Sequence, residues 1–194
     1  MKVVEIKKYG GPEVLEIGSR EIPVLKENEV LIKVKAAGIN RPDILQREGN
    51  YPPPKDSSDI LGLEIAGEVV KVGKKVKNIK IIDKVCALVS GGGYAEYCSA
   101  PFTQCLPIPR GLTFEEACIL PETFFTIWFN LFIKNKVKKK QKILIHGGSG
   151  GIGTTAIQIT KNFGLEVFTT TRSQNKSIKC KKLGAHYSIN TKKT

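Results

Sequence analysis

The string Gly148-Ser149-Gly150-Gly151-Ile152-Gly153 restricts the fold of this 194-residue chain more than any other feature. It directly follows a strand-like apolar run, Ile143 to His146, and opens a helix-like run, Ile152 to Phe163, that Gly164 closes. A G-x-G-x-x-G string alone is weak evidence. Between a strand and a helix it fits a turn whose bare backbone lets a diphosphate approach the amides of a helix N-terminus. A glycine-rich turn without a ligand is the lesser reading. Beyond it come a strand from Val167 to Thr170, a helix from Gln174 to Leu183 closed by Gly184, and a short strand from Tyr187 to Ile189. This βαβαβ order is one mononucleotide-binding half of a doubly wound, Rossmann-type sheet.

About 20 residues past the glycines, at the end of the second strand, an Asp or Glu would bond the ribose 2′-hydroxyl of NAD. The sequence there is Thr170-Thr171-Arg172-Ser173-Gln174-Asn175-Lys176, with no acid. Arg172 and Lys176 are suited to charge-assisted hydrogen bonds with a 2′-phosphate, and Ser173 adds a hydroxyl. The pattern favours NADPH over NADH. The competing reading makes Arg172 and Lys176 a solvated helix start with Ser173 as its N-cap.

Up to about Pro107 the chain alternates in short runs broken by turns: Val3 to Ile6, Val14 to Ile17, Val30 to Lys35, Ile65 to Val72, Lys84 to Val89 and Tyr94 to Ser99. Many short strands with Gly and Pro punctuation predict a closed or partly closed β-barrel. One helix interrupts them, with Asn40 as N-cap, Pro42 in the first turn and Gly49 as the stop. Thr113 and Glu116 form a capping box. The segment from Glu122 to Lys134 is apolar on nearly all sides, which predicts a helix buried on several faces where two domains meet.

The net charge is +13, with lysines at 134, 136, 138, 139, 140 and 142. An RNA-binding strip is one reading of that charge; without interleaved exposed aromatics, a solvated Lys-rich loop is favoured. The five cysteines form no C-x-x-C pair and sit among apolar neighbours, as reduced structural thiols do. No apolar run approaches the roughly 20 residues of a membrane span. The N-terminus has neither signal- nor transit-peptide character, so a cytoplasmic protein without membrane partners is expected.

Several motifs in order, Gly10-Gly11-Pro12-Glu13-Val14-Leu15, Ala36 to Asp43, Tyr51-Pro52-Pro53-Pro54, Leu61-Gly62-Leu63-Glu64 and His146 to Gly153, resemble quinone oxidoreductases of the medium-chain dehydrogenase/reductase superfamily, most closely the p53-inducible type. The resemblance implies an α/β plus β architecture. A GroES-like β-barrel catalytic domain (1–121) is followed by the first half of a Rossmann NADP-binding domain (122–194), with the active site in the cleft between them. It implies hydride transfer from NADPH to a quinone or enone, and a homodimer for the full-length protein.

In zinc-dependent relatives the stretches matching Gly38 to Asp43 and Gly62 to Glu64 supply a Cys and a His ligand. Asn40 and Leu63 stand there instead, so no metal is expected. The resemblance places Asn40 and Tyr51 near the nicotinamide, with Tyr51 the one obvious phenol able to give a proton, and makes Asp43 an orienting group. Asp43 reads equally as a first-turn carboxylate favoured by the helix dipole. Thr126 matches a threonine that touches the carboxamide, or is a plain core threonine, and Thr191 stands where relatives carry a tyrosine. Gly91-Gly92-Gly93 matches a stretch that would leave room for a flat substrate. The sequence stops after the third Rossmann strand, so the expectation is a fragment of an enzyme, or a truncated module that binds nucleotide or RNA without turnover.

Overall fold

Alternation along the run from Glu29 to Ala37 buries Val30 and Ile32 completely. That run forms an inner strand of a five-stranded antiparallel sheet in the computed structural model, which describes residues 1–192. The chain divides into two units, Met1–Glu122 and Thr123–Thr194. Strands of the first are β1 Lys2–Ile6, β2 Leu15–Ser19, β3 Glu29–Ala37, β4 Glu64–Val72, β5 Lys84–Leu88, β6 Tyr97–Pro101 and β7 Cys105–Pro107. β1 pairs with β2, and the larger sheet has the order β6-β3-β4-β5-β7. Val30, Ile32, Ile65, Val69, Val85 and Ala87 fill its core.

β1 also pairs beyond its own sheet. The Val4 N–H donates to the Tyr94 carbonyl at 2.9 Å and the Glu96 N–H to the Lys2 carbonyl at 3.1 Å. These bonds give the strands the partial closure expected of a GroES-like barrel, and they explain one shifted boundary. The run expected as a strand from Tyr94 joins β6 only at Tyr97, because Tyr94 to Glu96 are engaged by β1. Val14, expected in a strand, instead ends a 3-10 turn, Pro12–Val14, set by the proline at its start.

Helix α1, Arg41–Arg47, starts where expected, with Asn40 extended as N-cap, and ends before Gly49 at φ 81°. Helix α2, Phe114–Ala117, has its capping box: Thr113 Oγ1 accepts from the Glu116 N–H at 3.2 Å, and Glu116 Oε2 accepts from the Thr113 N–H at 2.9 Å. Thr113→Ala is expected to lower the unfolding free energy by about 1 kcal/mol, measured as a fall in the urea midpoint at unchanged slope.

Helix α3, Pro121–Ile127, begins at the end of the first unit, and a π-helical segment, Trp128–Lys134, continues it. The expectation of burial on several sides is corrected here. Ile127 and Leu131 pack into the core of the second unit, and Trp128 and Phe132 meet each other and Phe163 at the surface. Trp128, Phe129 and Ile133 are 46, 56 and 56% exposed, since an all-round apolar helix has more apolar surface than one packing face can cover. Among the described residues, the segment 114–134 is the one helical stretch that by length and composition alone could cross a bilayer. It is a weak candidate, interrupted by the turn at residues 118–120 and carrying Glu115, Glu116 and Glu122.

The second unit adds β8 Lys142–Ile145, α4 Gly151–Asn162, β9 Glu166–Thr171, α5 Gln174–Leu183 and β10 Tyr187–Asn190. Its strands are parallel in the order β10-β9-β8, the Rossmann-type half that the sequence predicts. Val167, Ile145, Ile157, Ala156 and Cys180 make its core. Register aligns Leu144, Phe168 and Tyr187 across the three strands, with the Phe168 and Tyr187 rings stacked at 4.6 Å. All five cysteines are buried and free. The lysines from 134 to 142 are all exposed.

Candidate nucleotide loop and candidate substrate-side cluster

The nucleotide loop takes its shape from close packing at two glycines and from open space at two others. A Cβ at Gly148 would stand 1.9 Å from Thr169 Oγ1, and one at Gly153 would stand 2.4 Å from the Gly147 carbonyl oxygen, so the strand, turn and helix pack through these points. Gly150 is the N-cap of α4 with ordinary extended dihedrals (φ −83°, ψ 171°), and a Cβ there would come no nearer than 3.6 Å to any atom. At Gly151 the nearest approach would be 3.8 Å. Packing against the rest of the fold therefore gives no reason for glycine at 150 or 151. The first-turn amides of Gly151, Ile152 and Gly153 have no intrahelical carbonyl to bond and carry the positive end of the helix dipole. Ser149 lies in the turn between these elements.

Arg172 follows β9 directly, and Lys176 lies in the first turn of α5. Both are exposed, and neither makes an ion pair among the described residues. Ser173 is the N-cap of α5, its Oγ accepting from the Lys176 N–H at 3.4 Å, and its hydroxyl donates to no group among the described residues. Thr191 is tied to β9: its N–H and its hydroxyl both donate to the Thr171 carbonyl, at 2.9 and 3.2 Å. Thr126 is half-buried on α3, and its carbonyl accepts from Asn130 Nδ2 at 2.8 Å.

In the first unit, Asn40 and Asp43 share one polar cluster. Asp43, 3% exposed, accepts from the Asn40 N–H at 2.7 Å and the Tyr94 hydroxyl at 3.0 Å through Oδ2, and from the Gly62 N–H at 3.2 Å through Oδ1. Asp43 thus caps α1 and fixes the Gly62 turn and the Tyr94 ring together. Glu64, 2% exposed, accepts from Asn40 Nδ2 at 2.8 Å and from the Glu122 N–H at 2.9 Å.

Sequence reasoning missed Tyr94 and Glu64. Tyr51, taken as the one phenol placed to give a proton, is exposed and makes no hydrogen bond to Asn40 or Asp43 among the described residues. Tyr94 is the phenol that belongs to the cluster. Burial and the Asp43 charge push its hydroxyl well above the ordinary phenol range, which suits a fixed donor and not an acid that releases its proton. At Gly91-Gly92-Gly93 the backbone makes its own demand for glycine. Gly91 and Gly92 have φ of 137° and 87°, and a Cβ at Gly93 would fall 2.9 Å from Gly62 backbone atoms, so the backbone itself requires these glycines.

Burial holds the Glu64 carboxyl above the usual carboxylate range, against the hydrogen bonds from Asn40 and the Glu122 amide. Burial and the Asp43 charge raise Glu122 likewise. A raised folded-state pKa stabilises the fold below the unfolded value, and that stability is lost as pH rises through the folded value. Glu64→Gln cannot ionise. Its urea midpoint relative to wild type is therefore expected to move in the variant's favour from about pH 4 to about pH 7; parallel pH profiles would refute this.

Among the described residues, no group of three or more His, Cys, Asp or Glu side chains could hold a metal ion. A barrel-type antiparallel unit followed by a parallel βαβαβ unit with an open glycine loop defines a class, and over nearly its whole length the chain is similar to quinone oxidoreductases of the medium-chain dehydrogenase/reductase superfamily. Residues 26–110 match the alcohol dehydrogenase GroES-like domain. A quinone oxidoreductase of Sus scrofa is 35% identical over 192 residues, 98% of this chain and 58% of that one. The Escherichia coli quinone oxidoreductase, solved with NADPH, superposes with a TM-score of 0.86 at 33% identity, over 100% of this chain and 60% of that one. The CurK enoyl reductase gives 0.87 at 28% identity, over 98% and 59%. The chain spans less than two thirds of the length of each of these relatives.

Proposed function

We propose that this sequence serves an NADPH-dependent, zinc-independent oxidoreductase that reduces a quinone or an enone. The observation that carries the reading is the glycine loop, whose positions 150 and 151 are left open by the protein's own packing. In this reading residues 1–121 provide the catalytic side and 122–194 the nucleotide side. The residues present fit the cofactor: the α4 amides from Gly151 to Gly153 meet the diphosphate, and Gly148, Ser149 and Gly150 shape the turn that admits it. Arg172, Lys176 and the Ser173 hydroxyl would hold the 2′-phosphate, and Thr126 and Thr191 would add contacts to the nucleotide. Bound NADPH supplies the hydride.

On the substrate side, Asn40 and Leu63 occupy the positions where zinc-dependent relatives carry Cys and His, and an amide and an isobutyl group are poor replacements for those ligands. Charge developing on the substrate oxygen is met by hydrogen-bond donors. Asn40 Nδ2 has one N–H on Glu64 and a second with no partner among the described residues, and that second N–H is the donor we assign. Asp43 holds Asn40 through its backbone N–H, and the exposed Tyr51, or water, returns the proton.

Steady-state loss of NADPH absorbance with a simple ortho-quinone, run beside an enone, tests the reading. Consumption dependent on either acceptor supports it and chooses between them. NADPH binding without turnover favours the binding-module alternative, and absence of both overturns the proposal.

A further inference from the structure

Resting on the role assigned above to Asn40, we infer that Glu64 is a positioning residue whose carboxylate fixes which end of the Asn40 amide faces the substrate. The chemistry of the group decides this. Two donors converge on Glu64, Asn40 Nδ2 at 2.8 Å and the Glu122 N–H at 2.9 Å, each on its own oxygen. An ionised carboxylate accepts at both oxygens and donates at neither, so the end of Asn40 that meets it is the NH₂. Because that nitrogen carries two protons at the wide angle of a planar amide, anchoring one leaves the other fixed in direction.

A glutamine at 64 has one acceptor and one donor, so it could not satisfy both partners as they stand. Either the Glu122 N–H loses its bond or Asn40 turns over and offers its oxygen, the wrong end for a developing negative charge. Burying a carboxylate to 2% exposure is costly unless its lone pairs are met, which argues that the charge is kept for something an amide cannot do.

A second observation is independent of these bonds. Gly38 is not in the left-handed region, so its conformation alone does not demand glycine. A Cβ there would lie 2.2 Å from Glu64 Oε1 and 2.7 Å from its carboxyl carbon. Glycine at 38 is therefore space reserved for this carboxylate beside Asn40. Gly38 and Glu64 are joined again in the backbone, the Gly38 N–H donating to the Glu64 carbonyl at 3.1 Å.

The test follows the side-chain amide of Asn40 by ¹H–¹⁵N spectroscopy of the 194-residue chain, assigned by its disappearance in Asn40→Ala. In wild type, one Nδ2 proton is expected to be protected from exchange with water and the other to exchange freely. Equal, rapid exchange of both overturns the inference without recourse to any variant. Glu64→Gln is expected to abolish the asymmetry. Gly38→Ala, which keeps the charge but takes the space, is expected to do the same; retention of the asymmetry in both, or in whichever one folds, also overturns it.

Kinetics separate this inference from the reading beneath it. Asn40→Ala is expected to lower kcat about 100-fold and Glu64→Gln about tenfold, with the double variant no slower than Asn40→Ala. An Asn40→Ala enzyme of normal kcat removes the substrate-side role of Asn40, while the spectroscopic result still decides whether Glu64 orients it. A slow Asn40→Ala beside a Glu64→Gln of normal kcat overturns the positioning role alone.

Discussion

Arg172→Ala is expected to weaken NADPH binding at least tenfold and to leave NADH binding unchanged. A hydrogen bond to a charged partner contributes about 1.5–3 kcal/mol. Arg172 is exposed, so solvent screening places the effect at the low end of that range, and 1.4 kcal/mol is about tenfold. The guanidinium is not engaged in any ion pair among the described residues, and its removal leaves no orphaned partner in the fold. A fluorescence titration with both nucleotides, at low and at moderate salt, checks it. The NADPH preference should shrink as salt rises and vanish in the variant. An unchanged ratio of the two affinities in Arg172→Ala would place the 2′-phosphate elsewhere, Lys176 being the next candidate.

The nucleotide loop was legible in the sequence because everything that makes it is local. Strand, turn, helix and the stopping Gly164 all lie within residues 142–164, and the boundaries there and around α5 have their own signals in Gly148, Gly150, Gly164, Ser173 and Gly184. The alternating strands β3, β4 and β5 were legible for the same reason. β7 was not, because Cys105-Leu106-Pro107 is too short to show a period and ends in a proline that belongs to sheet edges.

The substrate-side cluster was the least legible part. Tyr94 meets Gly38 from 56 positions away and Asp43 from 51, and Glu64 meets Glu122 from 58. Such partners are set by which strands pair, and no local pattern encodes them. A signal for Glu64 did exist. A charged residue opening the apolar run Ile65-Ala66 is out of place unless it is partnered, and Gly38 provides the room for it. The glycines from 91 to 93 are ambiguous in the sequence: glycine reads the same whether it clears space for a ligand or permits a left-handed turn, and the dihedrals show such a turn at Gly91 and Gly92.

That ambiguity gives the sharpest experiment on the loop itself, since its glycines divide into two kinds. Gly153→Ala is expected to destabilise the second unit severely. The added Cβ would press on backbone atoms of Gly147 and Gly148, at 2.4 and 2.7 Å, which cannot swing aside as a side chain could. Overpacking of this kind costs about 1–3 kcal/mol even where neighbours are side chains, so a loss of about 3 kcal/mol or more is expected from backbone contact. Gly150→Ala meets nothing closer than 3.6 Å and has dihedrals that any residue adopts, so the urea midpoint should stay within about 0.5 kcal/mol of wild type. Its nucleotide affinity should fall all the same, because the methyl group occupies the space in front of the α4 amides. Paired denaturation and titration of the two variants therefore separate what glycine does for the fold from what it does for the ligand. If Gly150→Ala bound NADPH as wild type does, the opening at the α4 N-terminus would not be where the diphosphate sits.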